Sequence, residues 1–143
     1  LGIKEIQSII TERVDDIPLL LEQMQRMGLP TLLDEHFPIH GNWQGLNLGW
    51  VSPIWLSSIL SRGGHRLGHV EPWVAQRLWT LGATTGQAVK RVDFTDDRLA
   101  SVLRRLRDDT RWAAFEAALH QHTVRVYDLS TARVHVDSTS ASA

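Results

Sequence analysis

Cysteine is absent from the 143 residues, which removes disulfides, thiolate metal sites and thiol nucleophiles together and lends an oxidising compartment no support. The cytoplasm is the expected location. Long apolar runs are missing too. The longest, LGWVSPIWLSSIL from Leu48 to Leu60, is broken by Ser52, Pro53, Ser57 and Ser58 and falls short of the roughly 20 residues that span a bilayer. It reads as a core helix, and no membrane partner is expected. The chain begins on Leu1 with no basic stretch leading into an apolar one; no signal peptide is expected, and the start is taken as a non-standard initiation or a clipped end.

Net charge is also nearly lacking, at −1, but it is unevenly spread. Residues 1–40 carry Lys4, Arg13 and Arg26 against seven acids, a balance of −4, whereas residues 62–111 carry ten basic residues against six acids, a balance of +4. The middle of the chain is therefore the part suited to an anionic partner, because steering depends on local asymmetry more than on the total.

What is present is helical periodicity. With 43% hydrophobic residues the chain can build one core and is too short for two full ones. Ile17, Leu20, Leu21, Met24 and Met27 recur at helical spacing after Asp16, a candidate cap, and stop at Gly28. LPTLLDEHFP predicts a short second helix, and HGNWQGLNLG a loop that Trp43 pins to the body. Leu48, Val51, Trp55, Leu56, Ile59 and Leu60 fit a third helix ending at Gly63-Gly64, which Pro53 either kinks or delays to Ser52. Val70, Trp73, Val74, Leu78 and Leu81 predict one helix closed by Gly82. Thr95 is the candidate cap for a helix burying Leu99, Val102, Leu103 and Leu106, and Asp109 for one carrying Trp112, Phe115, Leu119 and Val126. The expectation is a mainly α, compact bundle of five or six helices, with Leu20, Met24, Trp55, Ile59, Trp73, Leu103, Leu106, Trp112 and Phe115 in its core. Only ARVHVDST changes period: Val134 and Val136 alternate with His135 and Asp137 as in a strand.

Three patterns bear on chemistry. Gly63 and Gly68 have the spacing of a phosphate-binding loop, but His69 and Val70 stand where that loop needs Lys and then Ser or Thr. Paired glycines ending one helix and starting another explain it better. His65 and His69 are four apart, with Gly68 between them and no nearby carboxylate to complete a zinc site, and His120 and His122 diverge on a helix. The stretch RLASVLRRLRDDTR offers Arg98, Arg104, Arg105, Arg107 and Arg111 as candidate DNA contacts, since the guanidinium fork matches phosphate. Asp96, Asp97, Asp108 and Asp109 offer the alternative of a salt-bridged solvent face. Trp55, Trp73 and Trp112 fall on apolar stripes and read as core anchors rather than stacking platforms.

Taken together, ERVDDIPLLLEQMQRMGLPTLLDEHFPIHGNWQGLNLGWV, SRGGHRLGHVEPWVAQRL, DFTDDRLASVLRRLRDDTRWAAFEAAL and RVYDLSTARVHVDST resemble, in unbroken order from about Glu12, the N-terminal part of bacterial insertion-sequence transposases. The branch is the IS-four-like one of the DDE superfamily. The resemblance implies a helical N-terminal domain over residues 1–128 and, over 129–143, the first strand of a truncated RNase H-like catalytic domain. It places the first catalytic Asp of the triad at Asp137, with the second Asp, the Glu and its Tyr-Arg-Glu-Lys signature expected past Ala143. The intact family cuts and joins transposon DNA with two Mg2+ ions held by those carboxylates. One carboxylate cannot fix two such ions, so no catalysis and no stable metal binding are expected of these residues alone. The implied partners are transposon-end DNA and another transposase protomer. The alternatives are a free-standing helical interaction module with a disordered tail and a truncated regulator that occupies the intact enzyme's partner surface.

Overall fold

The structure, a computed structural model, describes residues 11–64 and 66–128. It is built from seven α-helices, α1 (Ile17–Arg26), α2 (Leu29–His36), α3 (Leu48–Arg62), α4 (Val70–Ala75), α5 (Leu78–Thr85), α6 (Asp96–Leu106) and α7 (Asp109–Val126), with 3₁₀ turns at Leu67–His69 and Arg91–Phe94. There is no strand among the described residues. The candidate strand at Val134–Val136, Asp137 and the segment 129–143 lie outside them.

α3 runs through the centre, packed against α1, α2 and α4. Its sequence explains why it tolerates this: Leu48, Val51, Ile54 and Trp55 are buried, and so are Ser57 and Ser58, whose hydroxyls donate to the carbonyls of Ile54 and Trp55 at 2.6 and 2.8 Å. These two hydroxyls are satisfied within the helix, so the face that carries them can be enclosed. Pro53 sits inside it, neither delaying its start nor ending it.

The α2–α3 junction is unusually close. A Cβ on Gly49 would lie 2.3 Å from the Pro30 carbonyl oxygen and 2.5 Å from Asp34 Cγ, so only glycine fits. The Gly49 N–H donates to Asp34 Oδ1 at 2.8 Å, satisfying one of the free donors at the start of α3. Burial pushes the Asp34 carboxyl above the usual aspartate range, against the opposing hydrogen bonds from Gly49 and Asn47. The folded state therefore binds this proton more tightly than the unfolded chain, and this group's contribution to stability falls as pH rises from the ordinary aspartate range through the raised value. Asp34→Asn keeps an acceptor for Gly49 and removes the charge. Urea unfolding between pH 3 and 7 is expected to find it at least as stable as the parent at pH 7, the difference closing toward pH 3; a loss of stability at pH 7 would contradict this.

Several boundaries differ from those that periodicity predicts. Asp16 does not cap α1 with its side chain; its carboxylate accepts from the Ser61 hydroxyl instead. Asp108, not Asp109, caps α7, accepting from the Arg111 N–H at 3.1 Å. The single helix expected from Val70 to Gly82 is two, α4 and α5, and Gly82 lies within α5, which ends at Gly86 with φ +70°. The break is stabilised from outside. Glu12 Oε1 and Oε2 accept from the N–H groups of Thr80 and Trp79 at 2.7 and 3.0 Å, giving α5 a cap from a residue far away in sequence. Thr95 caps α6 as expected.

Of the nine expected core residues, Met24, Trp55, Trp73 and Phe115 are buried and Leu20, Ile59 and Leu106 are half-buried. Leu103 and Trp112 are not, at 42% and 39% exposure. At 100° per residue the buried pair Leu99 and Val102 sets the inner face of α6, and Leu103 falls at its far edge. Trp112 stacks against Phe37 and Phe115, with ring centroids 6.1 and 5.3 Å away, and donates its indole N–H outward to Glu116 at 2.6 Å. Both side chains border an apolar groove of about 260 Å³ together with Leu33, Pro53, Leu56 and Ile59.

Candidate nucleic-acid interface

The basic face begins with how α6 is set. Thr95 Oγ1 accepts from the Arg98 N–H at 3.3 Å, and Leu99 and Val102 are fully buried. Fixing that inner face turns Arg98, Ser101, Arg104 and Arg105 toward the loop that precedes α3.

The loop is held by one carboxylate. Asp93, 2% exposed, accepts from the Leu46 N–H through Oδ1 at 3.1 Å and from the Lys90 N–H through Oδ2 at 3.0 Å. Gly45 passes so close, with φ +85°, that a Cβ there would fall 2.2 Å from Asp93 Oδ1. Leu46 buries its side chain, and its carbonyl accepts from the Trp43 indole N–H at 2.9 Å. Trp43 is thereby pinned, as the loop composition predicts, and its indole has become a platform. The Arg98 guanidinium carbon lies 4.4 Å from the Trp43 ring centroid and that of Arg105 lies 5.5 Å away, within cation–π range. Arg105 also donates to the Pro38 carbonyl at 2.8 Å, and Arg104 to the Ser101 hydroxyl at 3.0 Å.

These groups border an open cavity of about 670 Å³ whose other walls are His40, Asn42 and Gln44. None of its lining residues is acidic. A second hollow of about 380 Å³ shares His40, Arg104 and Arg105 and reaches Arg111 and Asp108, so the basic surface is continuous. Of the five arginines singled out from sequence, only Arg111 has an ion pair among the described residues, with Asp108 at 3.4 Å; it also donates to the His36 carbonyl at 3.3 Å. The salt-bridged alternative thus holds for Arg111 and not for Arg98, Arg104 or Arg105. Arg107, at the C-terminal cap of α6, lines neither hollow.

Trp43, His40, Asn42, Gln44 and Ser101 belong to this surface and were not expected there. The Gly- and Asn-rich loop around a lone tryptophan was the available signal, but its meeting with α6 depends on the Asp93–Leu46 bond. No group of three His, Cys, Asp or Glu within reach of one ion occurs among the described residues; His65 and Asp137 lie outside them. No described helix is long and apolar enough to cross a membrane.

No protein-family model matches the chain, and neither the curated proteins nor the solved structures contain a match.

Proposed function

We propose that this chain is the N-terminal helical part of a DDE transposase and that its own task is to hold DNA by the phosphate backbone. The observation that carries the DNA assignment is the acid-free cavity walled by Arg98, Arg104 and Arg105, with Trp43 beneath two of them. Guanidinium forks without ionic partners among the described residues are ready to donate two hydrogen bonds each to a phosphate, and a fixed indole holds Arg98 and Arg105 in place before DNA arrives. Trp43 carries Arg98 and Arg105 over its ring and gives its N–H to Leu46, so its role is to order the phosphate-binding groups. The transposase assignment rests on the ordered sequence resemblance. On that reading transposon ends are the DNA, a second protomer is the other partner, and Asp137 supplies a Mg2+ ligand in an intact enzyme.

Fluorescence anisotropy with a labelled inverted-repeat duplex, repeated from ~50 to ~200 mM salt, tests the DNA assignment. Three to four phosphate contacts predict a slope of log K against log[salt] of about −2.7 to −3.6. The rival reading, a helical module that binds only protein, predicts no measurable DNA affinity. An affinity indifferent to salt would also overturn the proposal.

A further inference from the structure

A second basic hollow, of about 450 Å³, lies between the C-terminal end of α3 and α4. Arg62 and Arg77 border it, and Arg13, Asp15, Ser61 and His69 complete the part of its wall that matters here. Arg77 is only 8% exposed. Its guanidinium lies 4.7 Å over the Trp73 ring, and Nη1 donates to the Trp73 carbonyl at 3.1 Å. Its Nε, together with Nε and Nη2 of Arg62, is buried without an acceptor among the described residues. Three orphaned donors on two cations are expensive to bury.

Nearby acids do not relieve them, because each is already engaged. Asp15 pairs with Arg13 at 2.9 Å, Asp16 accepts from Ser61, and Glu12 caps α5. Burial pulls the Arg77 pKa below the ordinary arginine value; Asp15 and Glu12 oppose the change, and the charges of Arg13 and Arg62 add to it. The acid on its wall, Asp15, is held by Arg13, and what the hollow lacks is an acceptor for the orphaned donors of Arg62 and Arg77.

We infer that the α3–α4 hollow binds a phosphate group between Arg62 and Arg77. Two forks approaching from separate parts of the chain, Arg62 at the end of α3 and Arg77 in the turn between α4 and α5, suit a tetrahedral oxyanion, which accepts from both at once, better than a planar carboxylate, which matches one. The hollow has room for whatever carries the phosphate, and two sources share this chemistry: a DNA backbone and a free phosphate or pyrophosphate. The site does not depend on the α6 face, and the inference stands or falls separately from the DNA assignment.

The test is a proton–nitrogen NMR titration of the arginine Nε–H signals in the full 143-residue chain. Inorganic phosphate is added against sodium chloride at matched ionic strength, and Arg62→Gln and Arg77→Lys assign the two signals. The expected result is saturable movement of the Arg62 and Arg77 signals with a dissociation constant near ~1 mM. In Arg62→Gln, with the amide spectrum otherwise preserved, the affinity read from Arg77 should fall roughly tenfold. Signals that stay still, or that chloride moves equally, would overturn the inference even if either variant failed to fold. A duplex arm then identifies the source. DNA moving the same two signals, with phosphate competing, assigns the backbone; DNA moving only Arg98 and Arg105, while phosphate moves Arg62 and Arg77, assigns a free phosphate.

Discussion

Changing Arg98, Arg104 and Arg105 together to Gln is expected to lower affinity for duplex DNA by roughly 10²–10³-fold near ~0.1 M salt, and to make the salt slope shallower by about 2.7. The slope is the more telling quantity. Each guanidinium that neutralises a phosphate releases condensed counterions, about 0.9 per contact on B-form DNA, so three lost contacts have a definite signature that general damage to the fold does not reproduce. Some damage is expected and can be measured apart. Arg98 and Arg105 lose their placement over Trp43, and Arg105 its bond to the Pro38 carbonyl, a cost of about 1–2 kcal/mol in unfolding free energy. The corresponding triple Lys variant separates charge from geometry. It should retain most of the slope, because the charges remain, but lose affinity, because ammonium groups neither fork onto phosphate nor lie flat on an indole. If the Gln variant keeps the parental slope, DNA is not held by this face.

The parts of this design that sequence made visible are those with short-range causes. Thr95 followed by Asp96 and Asp97 announces the start of α6, and the cap is made by neighbours three residues apart. At α7 the doublet Asp108-Asp109 offers two equivalent caps, and only the backbone path chooses the first. Between Val70 and Leu81 the apolar period continues across the real break near Gln76-Arg77, because the bond that starts a new helix there comes from Glu12. The arginine face shows the same division. Its charge is legible as composition, whereas freedom from ion pairs and the Trp43 platform follow from how α6 meets a loop more than fifty residues earlier in the chain. The orphaned donors of Arg62 and Arg77 have no sequence signal, since they depend on Trp73 and on acids that are occupied elsewhere. Both Leu103 and Trp112 carry a true helical stripe, but a stripe names a face and does not say how far the neighbouring helix covers it.

Removing Asp93 sets local charge against architecture, and the two predict opposite signs. A charge argument holds that deleting an acid near the arginine cavity strengthens anion binding. The hydrogen bonds argue otherwise. In Asp93→Ala the buried N–H of Leu46 and the part-buried N–H of Lys90 lose their shared acceptor, and at roughly 1–3 kcal/mol for an unsatisfied buried donor, less for one that water can reach, the expected loss of stability is about 2 kcal/mol. The Leu46 carbonyl then no longer has a fixed position from which to accept the Trp43 indole N–H, and the platform under Arg98 and Arg105 loosens. Affinity for DNA is therefore expected to fall, by roughly tenfold or about 1.4 kcal/mol, with the salt slope little changed because the arginines are all present. Asp93→Asn should fall between parent and Asp93→Ala, since its amide offers one acceptor where two are needed. Urea unfolding and anisotropy on the same preparations decide the matter. Tighter DNA binding by Asp93→Ala with parental stability would mean that the loop is held by something other than this carboxylate, and that Trp43 does not organise the arginines through it.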